Sequence, residues 1–155
     1  MKLQVSFSDP ENGWIEIRIQ CGKQEFCGQM SHTPYPSFEE LASSLSLLAQ
    51  GVPNTSARWN GEPHHYDFRF QQSDGRIHLE ILSLPQFSAP KLNAETVLLA
   101  TGTFNDICRP FWKAVCDLRG RLSDEDLTRR WHRPFPAEQF ERLGIHFRRL
   151  PSQKS

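Results

Sequence analysis

The chain has 155 residues, 37% of them hydrophobic, 23% charged and 11% aromatic, with 18 Lys plus Arg balanced by 18 Asp plus Glu. That composition predicts one globular domain over residues 1–155 with enough apolar material for a real core. It excludes a membrane-spanning helix, since no run approaches the roughly 18 consecutive apolar residues such a segment needs, and MKLQVSFSDP lacks the basic start and apolar stretch of a secretion signal. The protein is therefore expected to stay in the compartment where it is made.

The charges are unevenly spread. Residues 1–104, mainly strands plus one helix, carry 7 basic and 11 acidic side chains, whereas the helical 105–155 carries 11 basic and 7 acidic. Arg129, Arg130, Arg133, Arg148 and Arg149 make the C-terminal part the basic end. Two readings follow: solvated helix faces and intramolecular partners for the acidic first part, or a contact with nucleic acid in which Trp131 and His132 interleave for stacking.

In chain order, Leu3, Val5 and Phe7 alternate with polar residues, as do Ile15, Ile17 and Ile19, which marks two half-buried strands. A three-residue loop between Asp9 and Gly13 would set Phe7 opposite Ile15, Val5 opposite Ile17 and Leu3 opposite Ile19. A two-residue Gly22-Lys23 turn of type II′ then sets Ile19 opposite Phe26 and Ile15 opposite Met30. This register sends Cys21 and Cys27 to opposite faces, so they cannot bridge.

SFEELASSLSLLAQG predicts a helix with Ser37 as N-cap, Glu40 completing a capping box, and Phe38, Leu41, Leu45 and Leu48 as one apolar stripe ended by Gly51. Strands resume with TSARW, HHYDFRF and RIHLEIL. An Asp74-Gly75 turn of type I′ sets Phe70 opposite Leu79, Phe68 opposite Ile81, and Arg69 opposite Glu80 as a cross-strand charge pair.

A further strand, ETVLLATGTF, leads to a helix that Asn105 or Asp106 can cap and that turns Ile107, Phe111, Val115 and Leu118 inward. Cys108 and Cys116 lie about 12 Å apart along it, too far for a disulfide. With no pairing for the four cysteines, a reducing cytoplasm is expected. Ser123 caps a short helix through Leu127 and Trp131, Pro134 and Pro136 break it, and a last helix carries Phe140 and Leu143 before Gly144. Trp131, Phe135, Phe140 and Phe147 either cover the sheet or second helix, or form a partner surface.

The predicted architecture is α+β: a two-layer sandwich in which an antiparallel meander of six or seven strands carries helices on one face. Open sheet edges leave dimerisation by edge pairing available, and the oligomeric state undetermined.

WNGEPHHYDF, residues 59–68, concentrates the chemistry-bearing side chains. Asn60-Gly61 is a turn dipeptide, and Pro63 sits at a strand entry where its missing N–H costs least. Adjacent His64 and His65 point to opposite faces, so only His65 and Asp67 share a side, beside Arg69, which disfavours a metal there. No CxxC, HExxH, GxSxG or Gly-rich phosphate loop occurs, so no catalytic residue, metal or cofactor is assigned. A small enzyme or ligand-binding domain using Trp59, Glu62 and His65 remains a second reading. The outer strand face gathers His65, Asp67, Arg69, Gln71, His78 and Glu80, a mixed-charge surface.

The strand pair, the PSFEELASSL helix, and a W-x-x-E-P tract running into Y-x-F-x-F and I-x-L-E-I strands, with Trp59, Glu62, Pro63, Tyr66, Phe68 and Phe70 in matching positions, resemble small bacterial proteins similar to immunity proteins of polymorphic or contact-dependent toxin systems. The resemblance covers about residues 3 to 118. It implies a non-catalytic cytosolic domain that binds and neutralises a cognate toxin. Under that implication Glu11, Glu16, Asp67, Asp74 and Glu80, with His65, Arg69 and His78 around them, are the candidate partner contacts.

Overall fold

The computed structural model describes residues 3–85 and 94–148. Seven strands form one open antiparallel sheet in sequence order: β1 Gln4–Phe7, β2 Trp14–Cys21, β3 Gln24–Ser31, β4 Asn54–Asn60, β5 His65–Ser73, β6 Arg76–Leu84 and β7 Glu95–Gly102. Helix α1, Ser37–Ala49, joins β3 to β4, and α2 Phe104–Ile107, α3 Arg109–Arg121, α4 Asp124–Trp131 and α5 Ala137–Arg148 follow the sheet. The expected α+β sandwich is the observed one.

Alternation drives the layering. Ile15, Ile17 and Ile19 of β2, Phe68 and Phe70 of β5, and Ile77, Leu79 and Ile81 of β6 all lie on the helix-covered face and are essentially inaccessible. They pack with Phe38, Leu41, Leu45 and Leu48 of α1 and Ile107, Phe111, Val115 and Leu118 of α2 and α3, which are equally buried. Each such side chain contributes roughly 1.5–3 kcal/mol. The cluster runs without a break from Leu3 to Phe147.

Phe38 is its hub: its ring lies 5.3 Å from Phe7, 5.3 Å from Trp59, 5.4 Å from Trp131 and 5.0 Å from Phe135. Trp131, Phe135, Phe140 and Phe147 are buried. They cover the core and are not a partner surface.

Two hairpins form in the expected register. Ile19 faces Phe26 and Ile15 faces Met30 across the Gly22-Lys23 turn, where Gly22 takes φ +62°. Phe70 faces Leu79 and Phe68 faces Ile81 across Asp74-Gly75, whose φ values of +52° and +76° fit a type I′ turn. Cys21 is buried and Cys27 exposed, on opposite faces as expected.

The first hairpin differs. Phe7 faces Ile17 and Val5 faces Ile19, two residues away from the expected partners. The tight turn is Asn12-Gly13, with φ +52° and +81°, closed by a Glu11–Trp14 bridge, and Ser8–Pro10 bulges outside it. A shift of two preserves the face of every side chain, so the core was unaffected by the misplaced turn.

Three helix boundaries also differ. Pro36, not Ser37, is the N-cap of α1, without a side-chain cap bond. Ser37 Oγ donates instead to the Arg58 carbonyl at 2.7 Å, and Glu40 accepts from the Arg58 backbone N–H at 2.8 Å. The helix after β7 is capped by Thr103, with Asp106 completing a capping box, and it breaks at Cys108 into α2 and α3. The last helix continues through a buried Gly144 to Arg148. Ser123 caps α4 as expected, accepting from the Asp126 N–H.

The sheet is split in the middle. β3 and β4 share one pair, Ser31 with Asn60, and beyond it the strands part. Side chains of α1 take the missing neighbour's place along β4: Ser37 and Glu40 on Arg58, and Ser44 Oγ on the Ser56 carbonyl at 2.8 Å. At the other opening the Gln24 amide donates to the Leu99 carbonyl at 2.8 Å and accepts from the Leu99 N–H at 2.9 Å. The sheet thus curls until the start of β3 meets β7.

Candidate functional site

Strand register builds the face that the helices leave open. Across β4, β5, β6 and β7 the pairings Ser56–Arg69, Arg69–Glu80 and Glu80–Leu99 form one row. Asn54, Gln71, His78 and Thr101 form the next, and Arg58, Asp67 and Leu82 the row on the other side. Alternation alone sends these side chains away from the core, because their strand neighbours Ala57, Phe68, Phe70, Leu79, Ile81, Leu98 and Ala100 are buried.

Most charged groups in this grid are held in place. Arg69 meets Asp67 at 3.4 Å along its own strand, while Glu80, its cross-strand neighbour, accepts from the Thr96 hydroxyl at 2.5 Å. The expected Arg69–Glu80 register is present, although no ion pair between them forms. His78 Nδ1 and the Thr101 hydroxyl share a hydrogen bond at 3.0 Å. Leu99 stands among them 57% exposed, at the side of an open trough of about 990 Å³ that Ser56, Arg69, Gln71, His78 and Glu80 also line.

At one end the grid is locked by α1 and the loop before it. Glu40 grips Arg58 through Nε at 3.2 Å and Nη2 at 2.5 Å, and the Arg58 guanidinium lies 4.4 Å from the Tyr35 ring centre. Tyr35 and His65 Nδ1 share a hydrogen bond at 2.8 Å. His65 is buried, and that burial lowers its pKa, aided by His64 and opposed by the Asp67 carboxylate. Burial likewise raises the Tyr35 phenol, against the pull of Arg58.

The candidate contacts therefore fall into groups. His65, Asp67, Arg69, His78 and Glu80 share the open face of β5 and β6, with Asp74 at the exposed tip of their hairpin. Glu16 lies on β2, where it meets Arg18 at 3.6 Å and accepts from the Cys27 thiol at 3.3 Å. Glu11 is in the first hairpin loop, 2.6 Å from Arg130. Trp59, Glu62 and His65 do not form a common site: Trp59 is fully buried on the core face, His65 is on the other, and Glu62 lies in the exposed loop between the strands. Adjacent strand residues on β4 and β5 cannot serve one pocket when the sheet lies between them.

Arg129, Arg130 and Arg133 of the basic end are occupied within the molecule. Arg130 donates to the Pro10 carbonyl at 2.8 Å as well as to Glu11, and Arg133 donates to the carbonyls of His32 and Pro34. Arg129 pairs with Asp126 at 2.8 Å. Trp131 is 1% exposed and has no face for a base, whereas His132, the other residue of the stacking reading, is exposed. The Arg148 side chain and Arg149 lie outside the described residues.

Sequence reasoning missed Leu99 and the Arg58–Tyr35 stack. The signal for Leu99 is the Leu98-Leu99 doublet, since in an alternating strand one of two adjacent leucines must face outward. Tyr35 gives no such signal, because a loop residue's partners are set by tertiary packing. Among the described residues no three His, Cys, Asp or Glu side chains gather as metal ligands, and no helix is long and apolar enough to cross a membrane. Comparison with protein-family models, with curated proteins and with solved structures finds no match to the chain.

Proposed function

We propose that the chain is a non-catalytic protein-binding domain of the immunity type, which neutralises a cognate toxin through the open face of β5, β6 and β7. One observation carries this reading: Leu99, 57% exposed on a strand, sits in a field of polar groups already fixed by their neighbours. An exposed apolar side chain ringed by ordered charges supplies both parts of a binding hot spot, a residue to desolvate and a charge pattern that selects the partner. Fixed side chains also lose little entropy on association. Glu80 has no cation paired to it among the described residues, and it favours a partner that offers a basic group beside an apolar one. The role is cytosolic, in keeping with Cys27 and Cys108, which are not joined in a disulfide.

The test is affinity capture of the tagged chain from its host lysate, followed by mass spectrometry after a stringent wash. One stoichiometric protein is expected, with its affinity reduced about 100-fold or more by Leu99→Arg combined with Glu80→Lys. A captured partner indifferent to that variant, while the variant keeps its circular dichroism spectrum, would place the interface elsewhere. Absence of any captured protein would count against the binding role itself.

A further inference from the structure

We infer that the chain associates with a second copy of itself through the groove between α1 and α5, on the layer opposite the open sheet face. The groove has a volume of about 600 Å³ and an apolar floor of Ala42 and Leu143. Its walls carry Leu47 and Ile145, 38% and 52% exposed, which with Leu99 are the large hydrophobic side chains left in solvent among the described residues.

The polar groups of the groove identify the occupant. Glu39 lies half-buried in the wall, one carboxylate oxygen enclosed, and it makes no ion pair with any described residue. Arg142, on the facing helix, carries the opposite charge. Its own partner is Glu138 one turn away at 3.3 Å, with both side chains largely exposed, a contact worth little in water. One groove thus holds an unpaired carboxylate, a cation weakly engaged, and an exposed apolar residue on each wall.

That set is self-complementary. A two-fold axis running along the groove lays α1 of one copy on α5 of the other, so Glu39 meets the mate's Arg142 twice and Leu47 meets the mate's Ile145 twice. Two helices from each copy then pack as a four-helix layer. An unrelated partner would need to supply the same cation and apolar pair; a second copy already has them. The surface is distinct from the toxin-binding face, so the association leaves that face free.

Sedimentation equilibrium of the tag-free chain from about 1 to about 200 µM tests the inference. A monomer–dimer equilibrium within that range is expected. Arg142→Glu, on a side chain 69% exposed and so harmless to the fold, should abolish it, as should Leu47→Asp. The double exchange of Glu39→Arg with Arg142→Glu should restore it. A wild-type monomer throughout the range overturns the inference, and so does a dimer that Arg142→Glu and Leu47→Asp leave intact. A groove found to bind a different protein while the chain stays monomeric overturns it equally.

Discussion

At the scale of one residue, His65 shows how burial on an otherwise polar face becomes a pH response. Its imidazole starts from an ordinary value near 6.5, and enclosure beneath Tyr35 lowers it, because the charged form is poorly solvated there. The unfolded chain therefore binds a proton more readily than the folded one. Stability from this group is complete above about pH 6.5 and is lost as pH falls through the lower folded value. Urea midpoints should be flat from about pH 8 to about pH 7 and decline below about 6.5, before any carboxylate titrates; His65→Gln should flatten the decline. Asp67 favours the protonated ring, so Asp67→Asn should steepen it. A midpoint independent of pH between about 7 and about 5.5 in the parent chain would show that His65 is not linked to folding. Tyr35→Phe, which removes the hydroxyl shared with Nδ1, should cost about 1 kcal/mol at pH 7.5.

At the scale of the element, α1 explains why a sheet can be split without leaving its backbone bare. Ser37, Glu40 and Ser44 recur at helical spacing on one side of the helix and meet the unpaired margin of β4, so three side chains supply bonds that a neighbouring strand would otherwise make. Ser44→Ala removes the donor from the Ser56 carbonyl at a part-buried margin and should cost about 1 kcal/mol in chemical denaturation, whereas Ser43→Ala on the exposed side should stay within about 0.5. Equal effects would mean that helix propensity, not edge pairing, is being measured. The same two residues, Ser37 and Glu40, spell a capping box in sequence, and the structure uses them across space. Local spacing alone cannot distinguish those uses, since both need a short acceptor and donor on one face of the first turn. Where chemistry is local the sequence is legible: Asp74-Gly75 and Gly22-Lys23 fix their hairpins, and the period-2 runs of β2, β5 and β6 assign their core faces correctly. The sequence reading nevertheless sets the first turn across Asp9 to Gly13 and misses the tight Asn12-Gly13 turn, although the dipeptide carries the signal, and it passes over the Leu98-Leu99 doublet. The Tyr35–His65 contact was not legible, because it joins a loop to a strand 30 residues away.

At the scale of the molecule, the basic end closes on the acidic beginning. Arg121 donates to the Phe7 carbonyl at 2.7 Å and pairs with Asp9 at 2.8 Å, Arg130 reaches Pro10 and Glu11, and Arg133 reaches His32 and Pro34. The Gly13 N–H in turn donates to the Arg130 carbonyl at 2.9 Å. These bonds fasten α3, α4 and the segment after it to the first two strands and the end of β3, over the aromatic cluster centred on Phe38. A guanidinium on a backbone carbonyl is worth roughly 1.5–3 kcal/mol, and it does not weaken with salt as an exposed ion pair does. If the arginines join the two charge-segregated parts into one cooperative unit, Arg121→Ala and Arg133→Ala should each lower stability by about that amount without separating the transitions. Fluorine NMR of the chain labelled with 5-fluorotryptophan reads this directly, because Trp14 and Trp59 report from β2 and β4 while Trp112 and Trp131 report from α3 and α4. All four resonances should lose their native positions at one urea concentration in the parent and in both variants. Earlier loss of the Trp112 and Trp131 signals in either variant would show that the helical part unfolds by itself, and that the arginines are a clasp between two units.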